Sequence, residues 1–289
     1  VISTSPSPQI DRIPGTPLHA VRGDAEVSVL DPPRRSGAGN IVLLFTSGTG
    51  KRVLKVYRSR QGRIAEAVAN LITVGIQGRR PLDAASRALT ERQSLAIWSR
   101  HGFDVFTVLE SPVPEGIHDP ALWTEYCPGR RLDRLLFDPE TDPALIESLL
   151  VRHAREMSRR HSLALSTGEP LLCQTNGHAK HVLIHEDRLI TFDFEGGWSA
   201  DFPVMEALTH ELATFTRSIQ KAAGDRRDLT VDAFLSGYED TTLLSDIIQW
   251  GLHGRSPRRF FRRTIDLLAR AGDSKVGALR VLARRRSGW

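Results

Sequence analysis

The chain has 289 residues, 40% hydrophobic and 25% charged, with a mean hydropathy of −0.25, which excludes wholesale disorder, a collagen-like repeat and a disulfide-stapled mini-protein. No apolar run approaches the roughly 18 residues of a membrane-spanning helix, and no charged-then-apolar leader opens the chain. The net charge of +5 is uneven: residues 251–289 hold eleven Arg/Lys against two Asp/Glu, leaving 28 against 32 in the remainder.

Residues 1–22 are rich in Pro and Ser without periodicity and read as a flexible arm. A strand is expected at 25–30, then a turn-rich loop containing Gly37 and Gly39, then two strands at 40–45 and 52–57 around a glycine-bearing hairpin turn. The spacing predicts a helix from Pro81 to Arg100 and strands at 103–109 and 121–126. Beyond Arg130 the pattern turns helical. Leu145, Leu149, Leu150, Ala154 and Met157 outline a helix over 145–163, with further helices expected at 205–219, 230–238, 243–252 and 259–286. One strand pair interrupts them, 181–184 with 189–194, across a polar four-residue connection. The fold class is α+β in two lobes: a β-rich one over 23–128 with one long helix, and a helical one over 129–289.

Several residues break the pattern of the element that carries them. Only five of the 39 basic residues are lysines, yet Lys55 sits inside the apolar strand VLKV (53–56), where an ammonium needs an anionic partner or the rim. On the helix, Ala88, Leu95 and Trp98 share a stripe with Glu91, a carboxylate in the same predicament. A Lys55–Glu91 ion pair answers both needs, and Lys55→Met is expected to fold. If Ile184 pairs with Leu189, His181 faces Phe192, and Asp193 emerges beside Lys180 and His181 at the open end of the hairpin. That is a candidate metal or phosphate site. The SGAGN stretch (36–40), lying between strands, offers the backbone N–H groups of Gly37 and Gly39 to phosphates. GTGK (48–51) is a turn and not a Walker loop, because Phe45 stands where the first glycine is required.

In this order, VLKVY (53–57), TERQSLAIW (90–98), TEYCPG (124–129), TNGHAKHVLI (175–184) and FDFE (192–195) resemble the protein-kinase-like fold. The nearest branch is the bacterial small-molecule and lipopolysaccharide (Kdo/WaaP-type) kinases, with aminoglycoside phosphotransferases as cousins. The resemblance implies that Lys55 meets ATP phosphates, that Glu91 holds Lys55, and that the backbone of Glu125, Tyr126 and Cys127 takes the adenine. It implies Asp193 and His181 as metal positions for Mg²⁺ or Mn²⁺, with Glu195 as a second oxygen ligand in place of a glycine. At the general-base position, where the family has aspartate, stands Asn176, and His178 is the nearest substitute, expected to titrate at about pH 6–7.

Three readings follow. The first is an ATP-dependent phosphotransferase acting on a sugar, lipopolysaccharide-type or other small hydroxylated acceptor; the second is an ATP-binding pseudokinase. The third is a binder of anionic surfaces that uses the basic tail (Arg258, Arg259, Arg262 and Arg263 around Phe260 and Phe261, with Leu267, Leu268, Leu279, Val281 and Leu282 as an apolar face). A membrane surface fits that tail better than nucleic acid. With just Cys127 and Cys173 available for bridging, the expected setting is a reducing, bacterial cytoplasm, extending to the inner face of the membrane.

Overall fold

The computed structural model describes residues 26–31, 40–59, 70, 73–74, 77–254 and 274–286. The expected arm at 1–22, Gly37, Gly39 and the 255–273 part of the tail lie outside the described residues.

An antiparallel sheet opens the fold, in the order β1 (Glu26–Asp31), β2 (Ile41–Ser47), β3 (Gly50–Val56) and β4 (Ala121–Glu125). Leu54 and Val56 point to one face, where they pack with Val27, Ile41, Leu43, Phe45 and Trp123. Lys55 and Tyr57 point to the other face, by the period-two alternation of a strand. Helix α1 (Ala84–Arg100) covers that second face. It begins at Ala84 and not at Pro81, because Asp83 caps it by accepting a hydrogen bond from Ser86 N at 2.9 Å.

Residues 103–109 do not form the expected strand. The segment crosses from one sheet to the other, so it bridges Val105 to Thr191 and Val108 to Thr124 without running along either. The short β5 (Arg130–Arg131) and α2 (Leu132–Phe137) follow, then α3 (Pro143–Thr167). The buried stripe of α3 is Ile146, Leu149, Leu150, His153, Ala154, Met157 and His161, which contains the expected Leu149, Leu150, Ala154 and Met157, whereas Leu145 is 46% exposed.

The hairpin β6 (Val182–His185) and β7 (Arg188–Thr191) has the expected register, Ile184 opposite Leu189. Phe192 N donates to His181 O at 3.0 Å, continuing it by one residue. The ladder stops there because Asp193 turns into the left-handed region, φ +68°. Helices α4 (Val204–Ala223), α5 (Arg227–Gly237), α6 (Thr241–His253) and α7 (Lys275–Arg286) complete the large lobe.

The main core is built on α2–α6, and it also takes Tyr57, Leu95, Trp98, Phe103, Val105 and Leu122 from before residue 128. Helix α1 is thus packed with the large lobe as much as with the sheet. Trp98 Nε1 donates to Leu171 O at 3.0 Å, and the Arg160 guanidinium lies 4.1 Å from the centre of the Trp98 ring. Leu279 and Leu282, on the tail's expected apolar face, are buried in this core with Val281 packed against it, so this part of the face packs on the large lobe, the outcome the sequence favoured over a membrane-facing surface. Among the described residues no helix is long and apolar enough to cross a membrane.

Candidate active site

Lys55 Nζ lies 2.7 Å from Glu91 Oε2, 3.0 Å from Glu195 Oε1 and 3.2 Å from Asp193 Oδ1. Strand β3, helix α1 and the turn after β7 each bring one side of this contact. Tyr57 Oη donates to the same Glu91 oxygen at 2.7 Å. Burial pulls the ammonium's pKa down, but Glu91 and Asp193 outweigh it and hold Lys55 well above the ordinary lysine value. For Glu91 burial prevails, reinforced by Asp193 and Glu195, and its carboxyl is pushed up despite Lys55. Asp193 goes the other way: against burial, Lys55 and His181 keep it well below the usual carboxylate range. Lys55 therefore serves three carboxylates and not one. Its replacement by methionine would leave all three without that partner, a cost the sequence expectation of an intact fold did not count.

Glu195 is buried and doubly held. Oε2 accepts from Arg87 Nη1 at 2.8 Å, and Oε1 accepts from Asn40 Nδ2. The fully buried Arg87 donates also to Asn40 Oδ1 at 2.7 Å, to Leu82 O at 2.9 Å and to Arg58 O. The pattern reading missed Arg87 and Asn40. The signal for Arg87 was its place four residues before Glu91, on the same helix face.

The loop before β6 holds the remaining candidates. His181 is buried, with Nδ1 2.7 Å from Asn176 O and Nε2 3.0 Å from Asp193 Oδ2. A carbonyl only accepts, so Nδ1 carries the proton; Nε2 donates to Asp193 when the ring is charged and offers a lone pair when it is neutral. Burial lowers the pKa of His181 although Asp193 opposes this, which favours the neutral ring. With the ring neutral, Nε2 and Asp193 Oδ2 are two acceptors at hydrogen-bond distance. A cation between them satisfies both, so this donor set fits a metal ion. Among the described residues, Glu91, Asp193 and Glu195 each offer one oxygen, all within 4.8 Å of one another.

Asn176 is exposed, and its carbonyl also accepts from His178 N at 2.7 Å. His178 is half-buried, and burial together with His181, Lys180, Lys275 and Arg217 lowers its pKa to about 4. The expected titration at about pH 6–7 is thereby corrected. Beneath the loop, Arg160 and Glu211 form a bidentate pair at 2.8 Å, both buried, with His161 Nε2 3.2 Å from Glu211 Oε2. A Cβ on Gly177 would lie 2.9 Å from Glu211 Cγ, so the loop rests directly on this pair.

At the far end of β4, the Glu125 carboxylate turns inward and accepts from Thr107 N at 2.9 Å. Lys51 Nζ is 5.5 Å from the centre of the Tyr126 ring, and burial and Glu125 push the Cys127 thiol up. The segment after Asp193 reaches α4 in ten residues. It is pressed close: a Cβ on Gly196 would meet Thr175 Oγ1 at 2.5 Å, and one on Gly197 would meet Thr90 Cγ2 at 2.6 Å. Residues 78–80 cross it, with Arg80 N donating to Gly197 O at 2.8 Å and Ser199 N to Gly78 O at 3.0 Å.

A sheet with one covering helix, a helical lobe, and a strand lysine held by a helix glutamate beside a strand-end aspartate are the parts the sequence resemblance leads one to expect. No protein-family model matches the sequence, and no curated protein matches it. Solved structures do. One is WaaP in complex with acyl carrier protein, 16% identical over 90% of this chain and 87% of that one, with a TM-score of 0.45. Another is a variant of the PknI kinase domain of Mycobacterium tuberculosis, 13% identical over 94% of this chain and 100% of that one, with a TM-score of 0.43.

Proposed function

We propose that this chain is an ATP-dependent phosphotransferase acting on a hydroxyl of a sugar, lipopolysaccharide-type or other small acceptor. The observation that carries the reading is the convergence of Lys55, Glu91 and Asp193 from three separate elements. In this reading Lys55 binds the nucleotide phosphates, Glu91 orients it, and Asp193 with Glu195 would hold the divalent ion that offsets phosphate charge. The His181 nitrogen adds a donor that suits Mn²⁺ better than Mg²⁺. The backbone of Glu125, Tyr126 and Cys127 takes the base.

Phosphoryl transfer depends chiefly on positioning and charge stabilisation, so a carboxamide at Asn176 slows the reaction without abolishing it. His178 is neutral at pH 7 and free to accept the acceptor's hydroxyl proton. The pseudokinase reading has its own support in Asn176 and in the carboxylate that Glu195 places on Lys55.

Label transfer from γ-labelled ATP into cell-extract metabolites and glycans, wild type against Asp193→Asn, tests the proposal. Transfer by the wild type that falls about 100-fold or more in the variant supports the enzyme. Nucleotide binding without transfer supports the pseudokinase. Absence of any nucleotide-induced shift in melting temperature rejects both.

A further inference from the structure

Glu195 occupies the ammonium that the phosphotransferase reading reserves for nucleotide phosphate. Its Oε1 is 3.0 Å from Lys55 Nζ, the distance of a phosphate oxygen engaged by a lysine. It is not a loose side chain that a ligand brushes aside. Arg87 grips Oε2 at 2.8 Å, and Arg87 is itself anchored to Leu82 O, Arg58 O and Asn40 Oδ1 with no exposed surface. Asn40, at the start of β2, closes the ring by donating to Oε1.

The charges at this point do not cancel. Lys55 and Arg87 are two cations, and Glu91, Asp193 and Glu195 are three carboxylates, so one negative charge remains with the His181 ring neutral. A nucleotide phosphate approaching that assembly is repelled, and the ammonium meant to receive it is already engaged. A divalent ion reverses the sign of the whole group. Asp193 and Glu195 can both turn an oxygen to it, and Lys55 is then released.

We propose that Glu195, positioned by Arg87, is an internal surrogate for nucleotide phosphate on Lys55, so that the divalent ion must bind before the nucleotide. The inference rests on the phosphotransferase reading and adds an order of binding to it. A glycine at residue 195, as the resembling family has, would impose no such order.

Calorimetric titration of ADP into the wild type and Glu195→Gln, each in EDTA and in Mn²⁺, tests it. Gln keeps the volume and the bond from Arg87, and urea unfolding of both proteins checks that the fold survives. Wild type should bind ADP at least about tenfold more weakly in EDTA than in Mn²⁺, a gap of about 1.4 kcal/mol. Glu195→Gln should close that gap by raising the EDTA affinity about tenfold. Mn²⁺ alone, followed by electron paramagnetic resonance, should bind the variant several-fold more weakly. A purely structural role for Glu195 would shift the unfolding midpoint and leave both ligand readouts unmoved, which overturns the proposal. Equal ADP affinity of the wild type with and without metal also overturns it. If neither protein binds ADP under any condition, the phosphotransferase reading falls as well.

Discussion

Replacing Lys55 by methionine tests the electrostatics of the site independently of catalysis. The substitution deletes one of two cations facing three carboxylates, so the remaining charge rises from one negative to two. Removing one partner of a buried ion pair costs about 3–5 kcal/mol, and Lys55, with a side chain 16% exposed, belongs at the low end, about 3 kcal/mol. Against a typical total of about 5–15 kcal/mol this is a large loss. The loss is also pH-dependent, with a definite sign. The folded pKa of Lys55 is raised, so its contribution is complete at every pH below the ordinary lysine value. In the variant, Glu91 loses the cation that opposed burial, and its already raised carboxyl rises further. A raised carboxyl is tolerated better when protonated, so the variant regains stability as pH falls from 8 towards 5. Urea unfolding of the wild type, Lys55→Met and Lys55→Met/Glu91→Gln across that range measures this. The double variant should recover about half of the loss at pH 8. A single variant within about 0.5 kcal/mol of the wild type, or a gap that does not change with pH, refutes the reasoning.

Three other expectations follow from the titrating groups. His153 is buried, stacked on Phe215 and held neutral, its pKa lowered by burial and Arg160 to about 3. Stability is therefore full above pH 6.5 and lost as pH falls, by about 2 kcal/mol at pH 5, a loss that His153→Phe should remove from the pH dependence of urea midpoints. Glu156, half-buried on α3, has its carboxyl pushed up by burial to about 7 despite Arg160, so Glu156→Gln should stabilise the fold by about 1–3 kcal/mol at pH 8 and by less than about 1 kcal/mol at pH 5. If His178 is the base, turnover should rise through about pH 4 and stay flat from 6 to 8, and His178→Ala should cost at least about tenfold. A rate that still climbs between pH 6 and 7 assigns the proton to another group.

Much of this site was legible because charged residues violated apolar patterns. Lys55 and Glu91 each broke the period of a different element, and a buried charge leaves few ways out other than a partner. The β6–β7 register was equally readable, since a one-residue slip would have turned Leu189 and Val182 out of the core. Arg87 was not readable in this way. Its partners come from segments at 40, 58, 82 and 195, and no local period encodes a contact among four separate stretches of chain. The phase of α3 was legible from Leu149, Leu150, Ala154 and Met157, but at its first turn Leu145 and Ile146 are adjacent and both apolar, and only tertiary packing chooses between them. The low pKa of His178 likewise depends first on burial and then on His181, Lys180, Lys275 and Arg217 around it, a product of folding and not of sequence neighbourhood alone.

The division of the core carries a consequence for how the cleft breathes. The four-stranded sheet has its own small core on one face, while α1 is fastened to the large lobe through Trp98, Arg160 and the close approach of Gly197 to Thr90. On the other face, Tyr57 and Leu122 join Leu95 and Trp98 of α1 in the main core, so the seam between sheet and helix is held by that packing and by Glu91. Rocking the sheet as a plate over the helix would have to part these contacts. The Lys55–Glu91 contact spans that seam, and its length becomes a gauge of opening that a pair of spectroscopic labels on β3 and α1 could follow directly.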